Sequence, residues 1–219
     1  MEGAGADVIE VGVPFSDPMA DGPVIQASSQ RALSQGMTFD RVLELIARAR
    51  LSVPVVLFSY LNPVLAAGAD ALERAANAGA HGVLITDLPV GSDPDLEQRF
   101  TNGPLAFIRL VAPTTPADRM TYISKHGSGF VYLISRLGVT GAREQLPRDL
   151  PDTIARLRAA ASLPICVGFG VSTGEQAAAV ARLADGVVVG SAIVKAADES
   201  VAKAAALASE LRKAIDAGA

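Results

Sequence analysis

Short runs of apolar, mostly β-branched residues alternate along the chain with segments rich in Ala, Leu, Glu and Arg. The short runs have the composition of strands that are covered on both faces, and the longer segments have the composition of helices. This alternation is typical of a parallel α/β protein. Seven runs are predicted to be strands: Val8–Val13, Val53–Tyr60, Gly82–Thr86, Leu105–Val111, Gly129–Ile134, Pro164–Gly168 and Gly186–Val189.

The segments between the strands are predicted to be helices, and each connection is long enough for a right-handed crossover. The seven βα units show no reversal of strand order, so we expect one domain over residues 1–219 with the α/β fold of a (β/α)8 TIM barrel, here with seven of eight strands. The predicted helices are Val24–Ser34, Phe39–Ala49, Asp70–Asn77, Asp93–Phe100, Ala117–Lys125, Leu150–Ala160, Thr173–Ala181 and Ser200–Ile215, with a short apolar helix at Ala192–Ala196.

Composition narrows the class of protein. The chain has 219 residues, 50% hydrophobic and 19% charged, as expected of a soluble domain with a sizeable core. A net charge of -4 without a basic run argues against nucleic acid as a partner. No long apolar stretch or export signal is evident, so we expect a cytoplasmic protein without a membrane segment. Cys166 is the only cysteine, which excludes disulfides within the chain and fits a small core residue.

The first strand carries an acid in an apolar setting. Glu10 interrupts the run Val8–Val13, and its side chain points to the face opposite that of Ile9 and Val11. An unpaired charge on a buried face costs several kcal/mol, which indicates a functional carboxylate. The alternative is an exposed edge strand on which Glu10 simply meets water.

The loop after this strand, residues 14–23, holds two further carboxylates, Asp17 and Asp21. Its prolines and glycine stiffen the backbone, so Glu10 and Asp21 could converge on one ligand. The alternative for both aspartates is an ordinary turn or helix-cap role, especially for Asp17, which precedes Pro18.

Glycine turns follow the last two strands. Gly168-Phe169-Gly170 follows the penultimate strand, and Gly190-Ser191-Ala192 follows the last and opens a short helix. Barrels that bind phosphorylated ligands hold the phosphate at these two loops and at the N-terminus of a small helix. Two such turns at adjacent strand ends favour the phosphate-binding type of TIM barrel, although such turns also merely end strands.

The motifs resemble one family across nearly the whole chain. The segment Glu10–Pro23, EVGVPFSDPMADGP, looks like the signature of the tryptophan synthase alpha chain, and so does the loop Ser135–Gly141, SRLGVTG. Further matching segments occur in the expected order: Tyr60–Pro63, Thr86–Pro89, Val111–Pro116, Gly168–Ser172 and Gly190–Lys195. On this resemblance the strands correspond to strands 2 to 8 of the family barrel.

The resemblance implies a lyase of tryptophan biosynthesis that cleaves indole-3-glycerol phosphate to indole and glyceraldehyde 3-phosphate by a retro-aldol reaction, with no metal or cofactor in this chain. Glu10 would be the general acid–base group at the indole ring carbon and the glycerol hydroxyl. Asp21 would accept a hydrogen bond from the indole N–H and stabilise the positive charge of the protonated ring. A carboxyl inside the barrel with a raised pKa and an ionised carboxylate on the loop suit these two tasks.

The same resemblance implies supporting roles for other residues. Tyr132 would orient Glu10, although a core tyrosine with a satisfied hydroxyl is equally consistent with the sequence. Thr140 would bond Asp21 when its loop closes over the substrate. The implied phosphate contacts are the backbone groups of Gly141, Gly170, Gly190 and Ser191.

The resemblance also implies a partner. Alpha chains dock on a beta chain that carries pyridoxal phosphate, pass indole to it through a tunnel, and form an α2β2 heterotetramer. The tip of the loop, with Asp17 and Pro18, would be part of the contact. We expect beta chain to raise the cleavage activity.

Two features depart from the family pattern. Leu137 stands where the family usually has a small hydroxyl residue, which bears on loop closure. On the resemblance, Met1 falls where the family has the end of its first helix, so we expect this sequence to lack a first βα unit of roughly 30 residues or more. We therefore expect an open barrel, in which strands Val8–Val13 and Gly186–Val189 face each other across a gap. We also expect the sequence to be a fragment or to have a misplaced start site, and the isolated chain to be poorly stable.

Two other functions stay open at this stage. One is a non-catalytic chain that binds and activates the beta subunit. The other is a different phosphate-binding barrel enzyme, against which the Glu10–Pro23 segment speaks, because such relatives generally place Lys or Cys in their acid–base sets. The four lysines all fall in helical or helix-start segments: Lys125, Lys195, Lys203 and Lys213.

Overall fold

A computed structural model describes residues 1–134, 146–168 and 170–218. Within these residues seven strands form one sheet in chain order, and every neighbouring pair is parallel. The seven predicted strands are confirmed, and each is shorter than predicted by a residue or more at one or both ends. The strands are β1 (Ile9–Gly12), β2 (Val55–Ser59), β3 (Gly82–Ile85), β4 (Ala106–Val111), β5 (Val131–Ile134), β6 (Ile165–Gly168) and β7 (Gly186–Val187).

Helices alternate with the strands, as predicted. Side-chain caps mark where several begin: Thr38 before α2, Asp93 before α5, and a capping box of Thr173 with Gln176 at α8. The helices are α1 (Pro23–Ser34), α2 (Phe39–Ala49), α3 (Leu61–Ala66), α4 (Ala71–Asn77), α5 (Pro94–Thr101), α6 (Ala117–Lys125), α7 (Leu150–Ala160), α8 (Gly174–Ala181), α9 (Ser191–Glu199) and α10 (Val201–Gly218).

The short helix α3 was not among the predicted elements. Pro63 lies in its first turn, where a missing N–H is tolerated, so the proline is no obstacle. The cap comes from a distant part of the sequence, because Asp87 Oδ1 accepts the Leu61 N–H at 2.7 Å. The residues next to α3 in the sequence give no indication of this hydrogen bond, because its acceptor lies 26 residues away.

Alternation along the strands separates an inner from an outer apolar face. In β2, Val55 and Leu57 pack outward with residues of α2, whereas Val56 and Phe58 point inward. The inner cluster consists of Val56, Leu84, Ile108 and Tyr132, with the partly buried Phe58, Leu110, Phe130, Ile134 and Val188 packed against it. The sheet is therefore curled around a side-chain core.

The sheet is open between its first and last strands in the part of the chain described. There β1 pairs only with β2, and β7 only with β6. The residues of these two strands are half-buried or exposed, whereas β3 is fully buried. In the helix layer α1 contacts α9, and Arg31 pairs with Asp198 between them. The architecture is a TIM-barrel-like α/β fold with one open seam.

A buried ion pair fastens the loop after β3. Arg109 on β4 and Glu97 on α5 pair at 2.9 Å, and Arg109 is 3% exposed. Arg109 also donates to the carbonyls of Leu88 and His126, while Glu97 accepts the Gly91 N–H at 2.6 Å. The loop from Thr86 to Asp93 is thus held to the barrel by charged groups.

None of the helices in residues 1–134, 146–168 and 170–218 combines the length and the apolar character that crossing a bilayer requires.

Candidate active site

Glu10 projects into the inner face of the sheet near its open seam. It lies opposite Val56 in the β1–β2 register, and Val56 belongs to the inner cluster, whereas Val11 packs with the outer one. The strand period of two residues therefore directs the carboxylate into the barrel.

The environment of Glu10 favours the neutral acid. Its Oε1 is buried and has no hydrogen-bond partner among the described residues. Burial raises the pKa of Glu10 to about 7, because the apolar surroundings penalise the charged form. At neutral pH the group is therefore divided between acid and carboxylate, which is the condition that suits a general acid–base group.

Tyr132 and Cys166 lie within electrostatic reach of Glu10. Tyr132 on β5 is 4% exposed, and burial together with the Glu10 charge raises its pKa well above the usual range. Burial and the same charge raise the pKa of the Cys166 thiol to about 12. Both groups therefore stay protonated at neutral pH.

Gly168 makes room for the Tyr132 side chain. Tyr132 and Cys166 are neighbours in the β5–β6 register, and Gly168 lies two residues further along β6 on the same face. A Cβ at Gly168 would overlap the Tyr132 hydroxyl. This glycine is required by the close approach of the tyrosine, a reason that sequence analysis did not identify.

Asp21 is held at the end of the loop between β1 and α1. It is 5% exposed, its N–H donates to the Pro18 carbonyl at 3.0 Å, and its carbonyl accepts from Gln26 Nε2 at 2.7 Å. Burial raises the pKa of the Asp21 carboxyl, and a hydrogen bond from Tyr60 acts in the opposite direction. Hydrogen bonds to the Asp21 backbone and to the Asp21 carboxylate therefore both hold this side chain in its orientation.

Tyr60, to which no sequence pattern gave a role, contacts this loop. Its hydroxyl accepts the Ala20 N–H at 2.9 Å and hydrogen-bonds the Asp21 carboxylate. Its ring lies 5.2 Å from that of Phe15, centroid to centroid. The available signal was weak: a tyrosine at the carboxyl end of a predicted strand, next to the strand that carries Glu10.

The glycine turns lie at the carboxyl ends of β6 and β7. Gly170 has a φ of 104°, a left-handed conformation that favours glycine. Gly190 is the N-cap of α9 and provides no side-chain cap, and a Cβ there would meet nothing within 4 Å. Ser191 begins the helix. Helix α9 therefore begins without a side-chain cap on its first N–H groups, a setting that suits an anion.

The other predicted site residues are either exposed on the loop after β1 or lie outside the part of the chain that the structure describes. Asp17 is exposed and Pro18 half-exposed on the loop tip, next to Met19, which is 81% exposed. Thr140 and Gly141, like Leu137, lie outside the described residues. Among the described residues, no group of three or more His, Cys, Asp or Glu side chains is placed to hold a metal ion.

Comparison with known proteins decides the family. The sequence profile described as tryptophan synthase alpha chain matches residues 1–217. The chain belongs to the tryptophan synthase alpha chain family. An alpha chain from Desulfatibacillum aliphaticivorans is 50% identical over 200 residues, which are 90% of this chain and 76% of that protein. One from Gloeobacter violaceus is 47% identical over 219 residues, covering 96% of this chain and 79% of the relative.

Solved structures support the fold independently. The structure of Mycobacterium tuberculosis tryptophan synthase aligns with a TM-score of 0.90 and 36% identity, over 98% of this chain and 83% of that one. The alpha subunit from Legionella pneumophila aligns with a TM-score of 0.88 and 36% identity, over 99% and 84%. The TIM-barrel-like fold predicted from the strand and helix pattern is confirmed.

Membership of the family confirms the predicted activity. The chain is a carbon–carbon lyase of tryptophan biosynthesis, and its reaction is the cleavage of indole-3-glycerol phosphate to indole and glyceraldehyde 3-phosphate. The family also implies a beta-chain partner.

Proposed function

We propose that Glu10 and Asp21 divide the chemistry of the cleavage between them. The observation that carries the proposal is the inward-facing carboxyl of Glu10, with a buried oxygen lacking a partner among the described residues and a pKa of about 7. Asp21 sits on the neighbouring loop, already oriented by hydrogen bonds. One group can deliver a proton while the other stays negative.

Glu10 begins the reaction as the neutral acid and gives its proton to the indole ring carbon that bears the glycerol chain. The indole ring becomes positively charged, and the Asp21 carboxylate stabilises that charge through the ring N–H. Glu10, now a carboxylate, takes the proton from the adjacent glycerol hydroxyl. The carbon–carbon bond breaks as the aldehyde forms, its electron pair returns to the ring, and Glu10 ends protonated again.

Tyr132 and Thr140 support the two carboxylates in this proposal. Tyr132 lies near enough to Glu10 for the two to interact electrostatically, and its protonated hydroxyl suits it to orient the acid. Thr140 bonds Asp21 when its loop closes and excludes water.

The substrate phosphate is bound by backbone groups at the ends of β6 and β7. The left-handed Gly170 and the uncapped start of α9 at Gly190 and Ser191 support this assignment. Gly141 completes the set by resemblance.

The exposed loop tip forms part of the beta-chain contact. Asp17, Pro18 and the exposed Met19 belong to the same loop as Asp21, so docking of the beta chain acts directly on a catalytic segment. The assembly is an α2β2 heterotetramer in the cytoplasm, with pyridoxal phosphate on the beta chain and no cofactor in this one.

The test is indole release from indole-3-glycerol phosphate, with and without saturating beta chain. Glu10→Gln removes the proton donor and is expected to lower kcat by about 100-fold or more, since general acid–base catalysis contributes about 10²–10⁴-fold. Glu44→Gln makes the same chemical change at an exposed position on α2 and should leave the rate unchanged. A folded Glu10→Gln chain with the parental rate would refute the assignment.

A further inference from the structure

We propose that Tyr60 is the positioning residue that holds Asp21 and its loop in the catalytic arrangement. The proposal rests on the catalytic role of Asp21 given under Proposed function. It adds a residue from the loop after β2 to a site otherwise built from β1, β5 and the ends of β6 and β7.

Three contacts join Tyr60 to the loop. The hydroxyl accepts the Ala20 N–H at 2.9 Å, the same hydroxyl hydrogen-bonds the Asp21 carboxylate, and the ring packs against Phe15 at 5.2 Å between centroids. Tyr60 is 3% exposed, so these contacts are shielded from water. The loop is thereby fastened at its beginning and at its end.

The hydrogen bonds fix which way the Tyr60 hydroxyl points. A phenol has one O–H donor and can accept at its oxygen. Because the Ala20 N–H donates to that oxygen, the Tyr60 proton remains available for the Asp21 carboxylate. Burial raises the pKa of Tyr60 to about 12, so the hydroxyl stays a donor at every pH at which the enzyme would be assayed.

The backbone of Tyr60 is itself held in place. Tyr60 is the N-cap of α3, and Asp87 accepts the N–H of the next residue, Leu61, at 2.7 Å. Thr86, which precedes Asp87, donates its N–H to the Ser59 carbonyl at 3.0 Å. The phenol therefore projects from a rigid junction of two strand ends rather than from a free loop.

Loss of the Tyr60 hydroxyl has two expected consequences. The Asp21 carboxylate loses a hydrogen bond that favours its charged form, so the pKa of Asp21 rises and the acid limb of kcat/KM moves to higher pH. The freed carboxylate and the unpaired Ala20 N–H also loosen the loop, which lowers kcat. The other charged groups in this region are Asp87 beside Tyr60, the exposed Asp17, and Glu10 on β1, none of which is changed by the substitution.

Tyr60→Phe tests the proposal because it keeps the ring and its contact with Phe15. We expect kcat to fall by about 10- to 100-fold, the size expected for one hydrogen bond to a charged group, and the acid limb of kcat/KM to move to higher pH. Tyr122→Phe makes the same change at a 43% exposed position on α6 and should alter neither quantity. Phe15→Leu weakens the ring contact but keeps the hydroxyl, so it should not move the acid limb.

Asp21→Asn separates this proposal from the assignment on which it rests. Retention of activity in Asp21→Asn would refute the role of Asp21 itself. If Asp21→Asn loses activity but Tyr60→Phe keeps the parental kcat and the parental acid limb of kcat/KM, only the role of Tyr60 is refuted. In the Asp21→Asn background, Tyr60→Phe should cause no further loss, because its effect runs through Asp21.

A second measurement observes Tyr60 directly, with its hydroxyl in place. Tyrosine labelled with ¹³C at Cζ gives one signal for each of the three tyrosines, and Tyr122→Phe and Tyr132→Phe assign them. The Tyr60 signal should titrate with the midpoint of the acid limb, because its hydroxyl senses the charge of Asp21. A Tyr60 signal that stays constant across that pH range would overturn the proposal.

Discussion

At the scale of single residues, Glu10 was predictable and its chemistry only partly so. A carboxylate that interrupts an apolar strand stands out in the sequence, and the period of the strand gives the face on which it lies. Its buried oxygen and a pKa of about 7 result from burial inside the folded sheet, within electrostatic reach of Tyr132 on β5 and Cys166 on β6, and no local pattern brings these groups together. Tyr60 escaped the sequence analysis for the same reason, because its partners lie 40 residues away.

Gly168 provides a prediction at this scale. In Gly168→Ala the new methyl group would overlap the Tyr132 hydroxyl, so the tyrosine must move away from its position near Glu10. We expect the free energy of unfolding to fall by about 1–3 kcal/mol, the usual cost of overpacking, and indole release to fall at least tenfold. Urea denaturation and the indole assay measure the two effects.

Gly3→Ala is the matched control, because a Cβ at Gly3 meets nothing within 4 Å. It should change neither the stability nor the activity. A Gly168→Ala chain as stable and active as the parent would show that the close approach of Tyr132 is not important.

At the scale of elements, the hydrophobic pattern predicted the seven strands and most of the helices, because burial on both faces and Ala-rich helical segments leave clear local signals. Element ends were less accurate, since pairing with a neighbouring strand decides where a strand stops. The helix α3 was missed because its cap, Asp87, belongs to the loop after the next strand. Long-range hydrogen bonds of this kind are invisible to periodicity.

The buried pair of Arg109 and Glu97 yields a prediction for the packing of α5 on β4. Arg109→Met leaves the Glu97 carboxylate buried without its cation, and we expect the free energy of unfolding to fall by about 3–5 kcal/mol. Arg158→Met removes the ion pair with Asp185, whose two side chains are 50% and 41% exposed, and should cost about 1 kcal/mol or less. Equal losses in the two variants, measured by urea denaturation, would contradict the structural role of the buried pair.

At the scale of the whole molecule, the sequence predicted the barrel class from the order of its elements, and the family followed from long motifs rather than from physics alone. The roles of Glu10 and Asp21 came with that resemblance, and the structure adds the geometry in which they act: an acid inside the sheet and a carboxylate on the rim, held by Tyr60. The curled sheet is open beside Glu10 among the described residues.

The most direct test of the central claim is the pH dependence of kcat/KM for indole release by the chain with its beta partner. The reaction begins with neutral Glu10, whose pKa burial raises to about 7, so activity should fall as the pH rises through about 7. Glu10→Gln should be at least about 100-fold slower at pH 6 and should lose this dependence. A Glu10→Gln chain that keeps the parental rate, or the same fall near pH 7, would contradict the account.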